Sequence, residues 1–487
     1  MRRLRWLPVI LGALVAGVWL AIAGGFAAQA WWRLPDLAGW HEPLEGEFSA
    51  SDPDRPGAFA DLLALEQRLF TRLAERMRVE TGGGTPDPMG RYSPDSAAAT
   101  LALQSSGNRS SVLMHPQPTG AALLVHGLTD SPYMLSAIAR GLNARGLQVV
   151  SLRLPGHGTV PGALTTVHRQ DWIAAVELAA RHAAKLAGPG RPLVFAGFST
   201  GGALSLRHAL RALADPTLPM PTELVLLSPA IGISEIAAVS EVAAGLAFIP
   251  GLAKARWLDV LPEFDPYKYN SFPVNAARQI WHLTRELDRE LAAAERAGTL
   301  ARLPRITTFQ SLVDATVQIE DLTRRLYRRL PAGGHELVIF DINRRHQLSG
   351  LMAPGPLQAL ERLRQAPPLA FRLTLVGNRG PDSDEVAEWV RAPGERSFQP
   401  QALGLSWPPG VLSLGHLAIP LPSDDPIYGL SPATQPGERA FTLGGRAPSA
   451  EAGALSVPLA TLARMRSNPF HASIERRLDA IAAGSAR

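Results

Sequence analysis

The sequence predicts an α/β fold, a mostly parallel central sheet with helices on both faces. Three observations predict it. From residue 110 onward, short apolar runs alternate with segments of helical length, the rhythm of strands joined by crossover helices. One apolar run, "LVFA" at 193–196, ends in Gly197-Phe198-Ser199-Thr200-Gly201 and passes at once into an Ala/Leu-rich helical stretch. An earlier run, "LLVHG", ends in Gly127 in the same way, and in parallel sheets ligands bind beyond such carboxyl ends.

Taken in order, residues 1–33 begin with Arg2, Arg3 and Arg5 and then carry no charge from Trp6 through Trp32. About 20 apolar residues span a bilayer, so this segment is expected to be a transmembrane helix that anchors the chain with the rest outside the cytoplasm. The alternative is a cleaved signal peptide, because Ala28-Gln29-Ala30 has the small-x-small form of a cleavage site. Residues 34–109 are expected to hold a Pro/Gly/acid-rich linker (34–60) and an amphipathic helix (59–77) lying on the main domain. Residues 110–487 form that domain. "SSVLMHP" and "AALLVHG" suggest an antiparallel pair feeding the sheet. "SPYMLSAIARGLNARG", "DWIAAVELAARHAAKLAG" and "TGGALSLRHALRALA" are helical, and "LQVVSLRL", "PLVFAGFS" and "TELVLLSPAIG" are strands. The rhythm breaks after Ile231. Residues 235–303 are largely helical and rich in Pro and aromatics, as expected of a cap inserted over a site. "RITTFQSLVD" restores a strand, "HELVIFDIN", "AFRLTLVGN" and "GVLSLGH" suggest others, and a strand region is inserted at about 346–410. "SIERRLDAIAA" closes the chain as a helix.

Composition narrows the function classes. A hydrophobic content of 46% and a charged content of 19% describe a folded chain with a large core. The net charge of +5 includes the three N-terminal arginines, and no basic stripe interleaves with aromatics, so no nucleic-acid partner is expected. With no cysteine there is no disulfide framework, Cys-based zinc site or thiol nucleophile. The histidines are scattered without a His-Glu-x-x-His, so no metal and no cofactor is expected.

The chemistry centres on Ser199. A serine between Gly197 and Gly201 at a strand end suits a nucleophile elbow, in which the glycines let backbone pass close to a strained apex; a Gly-rich turn that merely contains serine is the alternative. Acyl transfer also needs backbone N–H donors for the developing oxyanion. Gly127 permits close approach, so Leu128 N–H is one candidate and Thr200 N–H, at the start of the next helix, the other.

"LLVHGLTDSP", "LRLPGHGT" and "GFSTGG", in that order and spacing, resemble the α/β-hydrolase superfamily. The nearest branch is the bacterial carboxylesterase and monoacylglycerol-lipase-like serine hydrolases, which include serine-aminopeptidase-like members. The resemblance covers roughly residues 110–330 and implies Ser199 as nucleophile, Leu128 and Thr200 as oxyanion donors, and a triad in the order Ser, Asp, His. Asp314 fits the acid by its strand-end position and its spacing to Val317, whereas Asp321 and Asp341 suit solvated or capping roles. For the base, His335 lies at the wrong end of its strand, His471 suits packing, and His157 precedes the nucleophile and is structural. His346 follows Arg344-Arg345, cations that oppose an imidazolium. His416, in apolar surroundings and within a Ser413-Leu414-Gly415-His416 segment that resembles the His-bearing segment of some relatives, is preferred, with His346 the alternative base. The resemblance implies cleavage of small-molecule or lipid carboxylic esters through an acyl-serine. The alternatives are a peptidase or amidase of the same fold and an inactive membrane-tethered binding protein. With the N-terminal anchor, it implies a bacterial inner-membrane protein whose catalytic domain faces the periplasm, or a secreted one after signal cleavage.

Overall fold

The computed structural model describes residues 34–80, 87–232, 253–432, 441–445 and 457–483, with the isolated positions Gly17, Ala21 and Gly25. The expected anchor or signal segment, residues 1–33, otherwise lies outside the described residues. Among the described residues no helix is long and apolar enough to cross a membrane.

Among the described residues ten strands form one sheet in the order β1-β3-β2-β4-β5-β8-β9-β10-β11-β12. Seven are parallel: β3 (Leu147–Leu152), β2 (Gly120–Val125), β4 (Leu193–Phe198), β5 (Glu223–Leu227), β8 (Arg305–Ser311), β9 (Glu336–Phe340) and β10 (Arg372–Asn378). Their period-2 alternation builds two cores. In β2 and β4, Ala121, Leu123, Val125, Leu193 and Phe195 face one core, while Ala122, Leu124, Val194, Ala196 and Phe198 face the other. The first core is closed by helices α1 (Phe59–Glu80), α4 (Arg169–Ala187), α5 (Thr200–Ala212), α6 (Val274–Arg296) and α7 (Pro354–Arg364). The second is closed by α3 (Ser136–Ala144) and α8 (His471–Ala482). A short α2 (Ala97–Gln104) is N-capped by Ser96, whose Oγ accepts the Ala99 N–H.

One edge differs from the sequence reading. Strand β1 (Ser111–Leu113) pairs antiparallel with β3, not with β2. Pro116 and Pro118 lack the N–H groups that a tight hairpin to β2 would use, so the chain crosses to the open edge of β3. At the other edge, β10 is followed by an antiparallel hairpin, β11 (Glu385–Arg391) and β12 (Gln399–Ser406). The expected strand "GVLSLGH" does not form. With β9 already flanked by β8 and β10, residues 411–415 cross the carboxyl ends of β8 and β9. There Leu412 O accepts from Asn343 N–H at 2.7 Å and Leu414 O from Ser311 Oγ at 2.7 Å.

The described part of the expected cap divides in two. Helix α6 buries Ile280, Leu283, Leu287 and Leu291 in the same core as α4 and α5, so it is scaffold. The preceding stretch, with the small hairpin β6 (Trp257–Asp259) and β7 (Phe272–Pro273), reaches the loop after β2, where Tyr269 N–H donates to Thr129 O at 2.8 Å.

Residues 34–58 are not a free linker. Arg153, at the end of β3, is fully buried and needs a counter-charge. Glu47 supplies it through two hydrogen bonds of 2.9 and 3.0 Å, while Glu66 of α1 lies 3.2 Å from Arg153 Nε. Phe48 is buried beside them, and Ala50 N–H donates to Asp171 Oδ1 at 2.7 Å. Burial raises the Glu47 carboxyl, but Arg153 outweighs it and holds the group below its ordinary value. Its stabilising contribution is therefore present above the ordinary carboxylate range and is lost as pH falls through the depressed value. Glu47→Gln is expected to cost about 3 kcal/mol at neutral pH, because it leaves the buried guanidinium short of a partner. An unchanged urea midpoint would mean that residues 34–58 do not hold the fold.

Candidate active site

The turn from β4 into α5 places Ser199 at φ 51°, ψ −113°, a left-handed conformation that side chains rarely adopt. Backbone hydrogen bonds hold it there. Ser199 N–H donates to Leu227 O at 2.9 Å, and Ser199 O accepts from Ala230 N–H at 2.9 Å. The flanking glycines are needed for close approach. A Cβ on Gly197 would strike the Gly201 carbonyl, and one on Gly201 would strike the carbonyl of Val125 in the neighbouring strand. Ser199 is only 7% exposed.

The loop after β2 lies alongside. His126 is buried, accepts Leu154 N–H at Nε2 (3.0 Å) and so carries its proton on Nδ1, which donates to Gly127 O at 2.8 Å. Burial, and then the neighbouring His157, push its pKa well below the ordinary value, so His126 is a neutral brace. A Cβ at Gly127 would collide with the Asp130 carboxylate. Among the described residues the N–H groups of Leu128 and Thr200 donate to no other group. For Thr200 this follows from its place as the first residue of α5, where no i−4 carbonyl exists.

Asp314 follows β8 and is 5% exposed. Its Oδ1 accepts the N–H groups of Thr316 (2.8 Å) and Val317 (3.0 Å), which explains the spacing noted in the sequence. Its Oδ2 accepts Gln310 Nε2 at 3.0 Å and meets His416 Nδ1 at 2.6 Å. Burial pushes this carboxyl up, but the His416 imidazole and the two loop N–H groups prevail, and the net shift is downward. An ionised carboxylate only accepts, so His416 carries its proton on Nδ1 and leaves Nε2 as the basic nitrogen. The His416 ring, 6% exposed, lies 5.0 Å from that of Phe198, the residue before Ser199. Ser199 Oγ makes no side-chain hydrogen bond among the described residues, and catalytic hydrogen bonds in ligand-free enzymes are often long.

The structure thus brings Asp314 and His416 together, with the His416 ring against Phe198, the residue before Ser199. His346 lies elsewhere: it follows β9, and its Nδ1 accepts Leu348 N–H at 3.2 Å. Asp341 pairs with Arg344 and Asp321 with Arg325. His335 accepts Ile306 N–H at the amino end of β8, and His471 Nε2 lies 3.2 Å from Pro420 O. His157 packs against His126 and lies 3.0 Å from Pro155 O. Sequence reasoning missed Asp130 and Lys268, whose ion pair of 2.6 Å sits on the loop after β2. The available signal was a carboxylate within "HGLTDSP" and the scarcity of lysine, which supplies three of 48 basic residues.

Residues 116–340 match the family model described as serine aminopeptidase, S33. This segment is an α/β-hydrolase of that family. The chain is accordingly a serine hydrolase. No curated protein matches the chain. Among solved structures, the hydrolase resembles one from a study of the metagenome-derived lipolytic enzymes LipS and LipT, at 21% identity and a TM-score of 0.37 over 53% of this chain and 96% of the other. It also resembles the monoacylglycerol lipase of Paleococcus ferrophilus, at 19% identity and a TM-score of 0.36 over 48% and 88% of the two chains. Est1E of Butyrivibrio proteoclasticus, with ferulic acid bound, matches at 18% identity and a TM-score of 0.35 over 52% and 93%. At these identities and scores no substrate transfers to the hydrolase from those proteins.

Proposed function

We propose that the protein cleaves carboxylic esters through an acyl-serine intermediate, with Ser199 as nucleophile, His416 as base and Asp314 as its orienting acid. The observation that carries this reading is the His416–Asp314 hydrogen bond of 2.6 Å beside the strained Ser199 turn. Ser199 Oγ attacks the ester carbonyl while His416 Nε2 takes its proton, and the imidazolium is stabilised by Asp314. The N–H groups of Leu128 and Thr200 receive the oxyanion. The alcohol leaves with the proton from His416, and a water activated by the same nitrogen then releases the acid and restores Ser199.

Esters are favoured over peptides by the charges at hand. An aminopeptidase must bind the substrate's ammonium group, yet both buried carboxylates that bear on His416 are engaged, Asp314 by His416 itself and Asp130 by Lys268. The uncharged run from Trp6 to Trp32 further favours attachment to a membrane, with the hydrolase domain on the extracytoplasmic side. The test uses the full chain. Hydrolysis of p-nitrophenyl esters should follow the carbonate-resistant membrane fraction and exceed hydrolysis of aminoacyl p-nitroanilides by at least about a hundredfold. Faster anilide cleavage would overturn the ester reading. Activity in the soluble fraction, with a mature N-terminus near Trp31, would overturn the anchor.

A further inference from the structure

We propose that Lys268 and Asp130 are positioning residues that fix the loop after β2 and balance the charge facing His416. The inference rests on the reading of His416 as base and goes beyond it, to what orients Leu128 N–H and what surrounds the imidazole.

The contacts are convergent. Lys268, on the stretch between β6 and β7, donates to Thr129 Oγ1 at 2.6 Å, to Asp130 Oδ1 at 2.6 Å and to Leu128 O at 3.4 Å. Three acceptors on consecutive residues thus meet one nitrogen with three N–H bonds. An ammonium suits that arrangement and a planar guanidinium does not, which accounts for a lysine here in a chain that mostly uses arginine. The loop needs such a hold. Thr129 is β-branched and sits at φ 64°, a strained backbone state that persists only when its surroundings enforce it. Tyr269 N–H, adjacent to Lys268, adds a bond to Thr129 O at 2.8 Å. The Gly127–Leu128 peptide, which presents Leu128 N–H and whose Gly127 O takes the His126 Nδ1–H, immediately precedes this clamp.

The second role is electrostatic. Asp130 is 2% exposed; its carboxylate and the Phe198 ring both flank Gly127, and that ring lies 5.0 Å from the His416 ring. The charged groups about His416 and Asp130 are the Asp314 carboxylate bonded to the imidazole, the Lys268 ammonium on Asp130, the Asp265–Arg466 ion pair and the guanidinium of Arg464. The ring of Phe198 on β4 adds no charge. Lys268 cancels Asp130, leaving Asp314 as the carboxylate that answers the imidazolium.

The experiment measures ester kcat and KM against pH for the full-length protein and its Asp130→Asn, Lys268→Met, Lys268→Arg and Asp130→Asn/Lys268→Met variants, with melting temperatures as folding controls. Lys268→Met is expected to lower kcat about tenfold or more while KM stays within about threefold, because oxyanion stabilisation acts on the transition state. Asp130→Asn leaves the ammonium unbalanced, disfavours the imidazolium, and should move the acid limb of kcat/KM to lower pH by roughly half a unit or more. The double variant removes both charges, so the limb should return to its original position while kcat stays low. Lys268→Arg keeps the charge and the limb but should recover only part of kcat. If the limb stays put in Asp130→Asn, or kcat is unchanged in Lys268→Met, the inference is overturned while the reading of His416 stands. A wild-type protein without serine-dependent esterase activity would overturn both.

Discussion

Ser199→Ala is expected to abolish ester hydrolysis and labelling by a fluorophosphonate, lowering kcat by about six orders of magnitude if Ser199 is the nucleophile. The same variant should fold. Alanine occupies the φ 51° turn at much the same cost as serine, and the hydrogen bonds that hold it, Ser199 N–H to Leu227 O and Ala230 N–H to Ser199 O, belong to the backbone. Ser199→Gly separates the two contributions further. Glycine relieves a strain of about 1–3 kcal/mol, so this variant should be inactive yet melt higher than the native chain. A protein that gained stability without losing activity would show that the strained turn serves packing alone. Undiminished hydrolysis by Ser199→Ala would remove the serine from the mechanism.

What the sequence made legible is what local pattern encodes. The alternation in β2 and β4, the glycines at 197 and 201 and the helical period of α1 each follow from a few adjacent residues, and each appears in the structure. The preference for His416 over His346 came from charge, from the apolar surroundings of His416 and from the resemblance of residues 413–416 to the His-bearing segment of some relatives. In the structure Asp314 touches His416, and His346 caps a turn. What stayed hidden depends on partners distant in the chain. β1 found β3 because its connection could not make a hairpin; β11 and β12 fall in the strand region expected at about 346–410, but their individual bounds were obscured by charged and polar residues that an edge hairpin tolerates. Residues 34–58 resembled a linker in composition. A buried arginine 106 positions beyond Glu47 makes them part of the fold, and nothing near Glu47 announces Arg153.

The second large effect concerns the base. His416→Ala should lower kcat by several orders of magnitude with little change in KM, because the imidazole acts on the proton moving in the transition state and not on the bound ester. The activity that remains should rise with pH more steeply than in the native enzyme, as hydroxide does the work of the missing base. Asp314→Asn should be nearly as damaging for a different reason. An amide in place of the carboxylate that now takes Gln310 Nε2, two loop N–H groups and His416 Nδ1–H can turn its NH2 toward the ring, favouring the tautomer whose Nε2 carries the proton and cannot accept one. It also withdraws the charge that stabilises the imidazolium. Since both variants disable one unit, the double variant should be scarcely worse than the worse of the two. His346→Ala, in contrast, removes only a ring nitrogen that caps Leu348 N–H, and should stay within about threefold of native activity. If His346→Ala were the crippling change, a chain segment from the loop after β9 would have to reach Asp314 in place of residues 411–416. The hydrogen bonds from Ser311 Oγ to Leu414 O and from Asn343 N–H to Leu412 O, which now hold that crossing in place, would then have to break during turnover.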